Sequence, residues 1–171
     1  MRLFFALWPD AATQLDWQHR SGPFLAPMGG RRIPAANLHL TLAFLGEVRG
    51  DRMNALLRLG DDLDLDPIHL RFDRIEYWKK PGLACLRPGD TPPALTRLEA
   101  HLQTGLGLAG FVVEKRHFKP HVTLSRDVPV GAEPLPLWPV LEWEAPALVL
   151  VRSRLSPAGS EYAVLQEWRL G

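Results

Sequence analysis

The sequence predicts one domain of mixed helices and strands, built as an internal duplication. Three observations lead there. A short apolar strand followed by a helix occurs twice, Leu3–Leu7 being matched by Leu83–Leu86 about 80 residues on. The tetrapeptide His39-Leu40-Thr41-Leu42 returns as His121-Val122-Thr123-Leu124, an offset of 82. Ile68–Phe72 has its counterpart in Ala147–Val151, an offset of 79. At 171 residues the chain fits one domain, with room for two lobes, and can bury a core without a covalent staple.

Each element has a local reason. Leu3–Trp8 is short, apolar and ended by Pro9, as a strand is. Asp10 can cap a helix from Ala11 to about Arg20. Ser21–Pro34, rich in Gly and Pro, reads as a loop, and Leu38–Leu45 as a buried strand. After a turn over Gly46–Gly50, Asp51 offers a cap for a short helix with Met53, Leu56 and Leu57 on one face. Ile68, Leu70 and Phe72 alternate with polar neighbours, and Pro81-Gly82 turns the chain into Leu83–Leu86. Thr91-Pro92 reads as a cap and first turn, with Leu95, Leu98, Leu102 and Leu106 on one helix face. Phe111–Val113, His121–Arg126, Ala147–Val151 and Tyr162–Leu170 read as strands, the last two joined by a turn around Pro157–Gly159. The copies diverge at residues 127–139, where prolines stand against the helix of the first half and a loop is expected.

Composition narrows the function. The net charge is +1, and residues 1–85 carry 11 basic and 10 acidic side chains against 9 and 9 in residues 86–171. That balance excludes a global electrostatic grip on long nucleic acid. Locally, Lys115, Arg116, Lys119 and Arg126 gather around His117 and His121, as a solvated face or as a seat for one or two phosphates. The lone Cys85 excludes an internal disulfide and a multi-cysteine metal cluster. The apolar run Leu3–Trp8 is too short for a secretory leader, and no stretch nears the roughly 18 residues that span a membrane. A soluble, cytoplasmic chain is expected.

The paired tetrapeptides carry the chemistry. On a strand, His39 and Thr41 share one side, roughly 6–7 Å apart, while Leu40 and Leu42 face a core. His121 and Thr123 repeat the arrangement. If the two copies face each other about a pseudo-two-fold axis, two imidazoles and two hydroxyls meet in one cleft. One histidine can then take a proton from an attacking oxygen while the other gives one to a leaving oxygen. The hydroxyls can donate to phosphate oxygens. A single His-x-Thr would read as an ordinary strand with a surface histidine; two at duplicated positions read as a site. His117 and His121 have i, i+4 spacing, but Pro120 opposes a helix and no acidic residue completes a ligand set, so no metal is expected. Gly105–Gly110 matches G-x-G-x-x-G but closes a helix, so it reads as a helix stop. His19, His69 and His101 read as surface residues, and Asp61, Asp62, Asp64 and Asp66 as a solvated turn.

RLFFAL at 2–7, NLHLTLAFLGEV at 37–48, FKPHVTLSR at 118–126 and SRLSPAGSEYAVLQEWRL at 153–170 resemble the two-histidine phosphoesterase family. Within it they resemble the RNA 2′,3′-cyclic phosphodiesterase branch, also called 2′-5′ RNA ligase or LigT-like. The resemblance implies an α+β fold: a single bilobal domain over 1–171, with two antiparallel β-sheets lining a central cleft and helices outside. It implies metal-independent hydrolysis of an RNA or nucleotide 2′,3′-cyclic phosphate to a 2′-phosphate, reversible as 2′-5′ joining. No cofactor is implied; the partners would be RNA ends or small cyclic nucleotides, not a membrane, and a monomer is expected. His121 would be the base on water and His39 the acid on the 3′-oxygen, with Thr41 and Thr123 on the phosphate. Arg126 would pair with phosphate oxygens, against the alternative of a surface arginine. Phe44 would lie near the substrate base, against the alternative of a core phenylalanine. The sequence departs from the pattern in the proline-rich 127–139 segment and at Arg31-Arg32-Ile33, where an aromatic is often found. The competing reading is a catalytically silent RNA-end-binding module, which would not need two titratable groups.

Overall fold

In the computed structural model, which describes residues 1–129, 135–157 and 159–171, strand β1 (Arg2–Leu7) lies between β3 (Leu40–Glu47) and β8 (Ala147–Ser156), antiparallel to both. β9 (Gly159–Arg169) forms a hairpin with β8, giving a first sheet ordered β3-β1-β8-β9. The second sheet runs β6-β5-β4-β7, from β6 (Val122–Arg126) through β5 (Leu83–Pro88) and β4 (Ile68–Trp78) to β7 (Leu135–Ala145). The two join where β3 meets β6, with Leu40 opposite Val122, so that together with β2 they form one continuous nine-stranded sheet. The two-residue strand β2 (Arg31–Arg32) lies along β6, with Arg31 opposite Arg126.

The duplication is visible in this order, with an exchange. β1 matches β5, β3 matches β6 and β8 matches β4, on either side of the β3–β6 junction. Yet β4, from the first half of the chain, pairs in the sheet of the second half, and β8 pairs in the sheet of the first. The helices cross over as well. α1 (Ala11–Leu25) covers the second sheet, its buried Trp17 standing edge-on to Phe72 of β4 at 5.4 Å and to Trp143 of β7 at 5.0 Å. α3 (Pro93–Leu108) packs on β3 and on α2 (Met53–Asp61). Gly60 of α2 seats the Trp168 ring of β9 so closely that a Cβ would collide with it. Leu3, Phe5 and Leu7 of β1 enter the helix-side core, while Phe4 and Ala6 join Ala147, Val149 and Val151 in a smaller cluster on the opposite face. Fully burying such a side chain is worth about 1.5–3 kcal/mol. That second face is the one that carries the site.

Most local expectations hold. Asp10 caps α1, accepting from the Thr13 N–H at 2.7 Å. Leu95, Leu98, Leu102 and Leu106 are all buried. The glycine run stops α3: Gly110 has φ +76°, and the Phe111 N–H reaches the Leu106 carbonyl at 2.9 Å.

Other expectations need correction. α1 continues to Leu25, past Arg20 and through Pro23, because Ser21 and Leu25 are buried and the break falls in the last turn; Arg32 also donates to the Gly22 carbonyl at 2.8 Å. Asp51 does not cap α2; Arg49 holds its carboxylate, and a 3₁₀ turn over Gly50–Arg52 leads into the helix. Thr91 is no cap either, since α3 starts from Pro92 without a side-chain bond. Phe111–Val113 is not a strand: Arg52 lies over the Phe111 ring at 4.3 Å, Val112 is exposed, and neither residue enters a ladder. β7 begins at Leu135 within the expected loop, despite Pro136 and Pro139. It is an edge strand, where a missing N–H need not break the sheet. Residues 130–134 of that segment, and Ala158 in the expected Pro157–Gly159 turn, lie outside the described residues. Asp61 and Asp66 are more than a solvated turn: Asp61 accepts from the Trp168 indole N–H at 2.8 Å, and Asp66 pairs with Arg97 at 2.7 Å. Among the described residues, no helix is long and apolar enough to cross a membrane.

Candidate active site

His39 stands immediately before β3 rather than on it, in a segment pinned from two sides. Buried Gln14 of α1 donates to the Leu38 carbonyl at 3.0 Å, and Asn37 donates to the Ser160 carbonyl of β9 at 3.0 Å. The imidazole Nδ1–H donates to the Asn37 carbonyl at 2.7 Å, and Nε2 lies 3.1 Å from the Thr41 hydroxyl. His121, immediately before β6, repeats the device: its Nδ1–H donates to the Lys119 carbonyl at 2.9 Å. In both copies the carbonyl two residues back fixes the tautomer, because a carbonyl only accepts. Each neutral ring therefore offers an unprotonated Nε2.

The junction brings the four groups together. Leu40 opposite Val122 in an antiparallel register sets His39 on the side of Thr123 and Thr41 on the side of His121. Histidine and threonine thus alternate around one centre. Arg126, at the end of β6, bears on both histidines, and its positive charge disfavours protonation of each. Asp127 then turns the chain away at φ +56°. Phe44 is 62% exposed, which rules out the core reading. It is paired with Phe4 across β3–β1, on the face that also presents Thr41, and the two rings lie 5.8 Å apart. Lys115, Arg116 and His117 are exposed in the irregular stretch after α3, with Arg116 paired to Glu114 at 2.6 Å; of the predicted cluster, Arg126 is the cation that both histidines feel.

The surroundings of the two histidines differ, and sequence reasoning missed them. Trp8 stacks on His39 with ring centroids 4.9 Å apart and planes 6° from parallel. Phe4 at 5.0 Å and Tyr162 at 5.2 Å complete an aromatic box. Burial in it pushes His39 down to about 4, with smaller contributions from the charges of His121 and Arg126. His121 lies 4.5 Å from the Trp78 ring, beside Glu76 and Arg87. Burial lowers it too, and the Glu76 carboxylate partly offsets that. A period-two signal was available, since Phe4, Ala6 and Trp8 share a face, as do Glu76 and Trp78. Its value depends on which strands are neighbours.

Known proteins resemble this chain in sequence and fold over most of its length. The RNA 2′,3′-cyclic phosphodiesterase of Escherichia coli is 30% identical, covering 99% of this chain and 96% of that protein. The protein of the same name from Thermus thermophilus is 32% identical, over 99% and 90%. The crystal structure of E. coli LigT complexed with 3′-AMP superposes with a TM-score of 0.91 at 30% identity, covering 99% of this chain and 97% of that one. A family model described as the 2′-5′ RNA ligase superfamily matches residues 9–155, and on that match and these full-length likenesses the chain belongs to the 2′-5′ RNA ligase superfamily.

Proposed function

We propose that this chain hydrolyses RNA 2′,3′-cyclic phosphates, leaving a 2′-phosphate, with His39 and His121 as the catalytic pair. The observation that carries this reading is the pair of Nε2-presenting imidazoles, each leading into a strand that carries a threonine two residues on, where the two strands meet at Leu40 and Val122. In-line displacement at phosphorus needs a base and an acid on opposite sides, and one imidazole cannot serve both at once. His121 takes the proton of water and His39 returns one to the departing 3′-oxygen. Thr41 and Thr123 donate to the non-bridging oxygens, Arg126 balances the phosphate charge, and exposed Phe44 offers a stacking surface to the base. Relatives named for this activity, and a structural neighbour complexed with 3′-AMP, support the substrate class. Incubation with a cyclic-phosphate-ended oligonucleotide in excess EDTA should yield a 2′-phosphate end. Loss of turnover restored by a divalent ion would overturn the metal-independent mechanism.

The pH dependence follows from burial. Catalysis needs one imidazole neutral and one protonated, so kcat/KM should be bell-shaped and should report the free protein. Both groups are depressed, His39 to about 4 and His121 below its ordinary 6.5. Below the lower value both rings are charged and the base is lost; above the higher value both are neutral and the acid is lost. The optimum should therefore lie on the acid side of the ordinary histidine range. Bound phosphate favours imidazolium, so the kcat profile should sit at higher pH. A kcat/KM optimum above neutrality would contradict this reading.

A further inference from the structure

The second sheet places a charged network against His121 that has no counterpart at His39 among the described residues. The register lines up Glu76 of β4, Cys85 of β5 and Thr123 of β6 in one row across three strands. Trp78 and Arg87, two residues from Glu76 and Cys85, extend that face on either side. The Trp78 indole N–H donates to Glu76 Oε2 at 2.9 Å, and the indole rests against the His121 ring, 53° from coplanar. Arg87 Nε lies 3.4 Å from the same carboxylate oxygen, and its Nη1 donates to the carbonyl of Pro120, the residue immediately before His121. One carboxylate therefore holds both the ring that touches the imidazole and the guanidinium that fixes its backbone. The pair is sheltered, with side chains 17% and 25% exposed for Arg87 and Glu76, so the interaction is less screened than a surface ion pair.

We propose that Glu76 and Arg87 are positioning residues for the reaction, acting together with Trp78 to aim the His121 imidazole and to set the charge it works against. At His39 the equivalent space holds Trp8, Phe4 and Tyr162. A near-symmetric sequence motif is thereby made into two unlike groups, one imidazole boxed by aromatic rings and the other set among charges.

Among the described residues, the charged and titratable groups facing His121 are Arg87 from β5, Glu76 from β4, Arg126 from β6 and His39 across the junction. Behind Glu76 stands Arg74, at 4.0 Å. Cys85 is pushed up to about 12 by burial and stays a neutral thiol. Arg87 and Arg126 disfavour the imidazolium, and Glu76 favours it. Glu76→Gln keeps an oxygen for the Trp78 N–H, removes the charge and leaves Arg87 unopposed. Arg87→Met removes the cation. The two substitutions must therefore move His121 in opposite directions.

The role of these residues in catalysis rests on the phosphodiesterase reading, whereas their action on His121 does not. The test is NMR titration of the His121 ring, assigned with a His121→Asn variant, alongside the kcat/KM profile. Glu76→Gln should shift the His121 titration and its kinetic limb to lower pH, and Arg87→Met should shift both to higher pH, with a smaller effect at His39. Unmoved titrations, or shifts of the same sign in both variants, would overturn the proposal. If Arg87→Met does not fold, Arg87→Lys replaces it: the charge stays but the planar guanidinium that bridges Glu76 and the Pro120 carbonyl is lost, so kcat should fall while the titration holds. Full kcat in Arg87→Lys would overturn the positioning role. The titration needs no substrate, so it stands even if no cyclic phosphate is turned over.

Discussion

His39→Ala and His121→Ala should each lower the hydrolysis of a cyclic-phosphate oligonucleotide by about 10²–10⁴-fold, the usual contribution of a positioned acid or base. Neither ring is part of the helix-side core, so both variants should remain folded, which circular dichroism would check. The two losses should differ in kind. A substrate with sulfur in place of the 3′-oxygen departs without being protonated, so it should partly rescue His39→Ala and leave His121→Ala inactive. Rescue of His121→Ala alone would reverse the assignment. The bell-shaped pH profile is blind to this question, because it counts protons without saying which ring carries them. Full activity in either alanine variant would remove that histidine from the mechanism.

Thr41→Ala and Thr123→Ala should each slow turnover on the order of 10²-fold, as expected for loss of one donor to the transition-state phosphate. They should not be equivalent. The Thr41 hydroxyl lies 3.1 Å from His39 Nε2, so its loss also frees one side of that ring, whereas no such bond ties Thr123 to His121 among the described residues. Thr41→Ala should therefore show the larger fall in kcat, and Thr41→Ser should recover most of it. Two alanine variants that turn over at the wild-type rate would show that the hydroxyls do not hold the phosphate.

The reach of the sequence can be judged from particular residues. That His39 and Thr41 belong together, and His121 and Thr123 likewise, depends on the period of an extended chain and on two residues of sequence separation. The faces of α3 and the capping of α1 by Asp10 are equally local. The duplication was legible because two motifs and their flanking strands recur at one offset. The edge strand β7 was not, because prolines argue against a strand until the open edge that tolerates them is known. Phe111–Val113 failed in the opposite sense: it looks like a strand but finds no ladder to enter.

By itself, the sequence determined which side chains could do acid–base work on a phosphate, and that they come as two equal pairs. Only the tertiary structure made the pairs unequal. Trp8 and Tyr162 reach His39 because β1 and β9 belong to the first sheet, and Glu76 reaches His121 because β4 crosses into the second, beside β5, which carries Arg87. Phe44 is exposed on the face that presents Thr41 because β3 pairs with β1 in a register that a bulge resets. These contacts join strands far apart in the chain, and a one-residue slip in pairing would turn each side chain to the other face. Periodicity shows which residues of a strand share a face; it does not show which strand lies beside it, and the electrostatics of the two histidines depend on those neighbours.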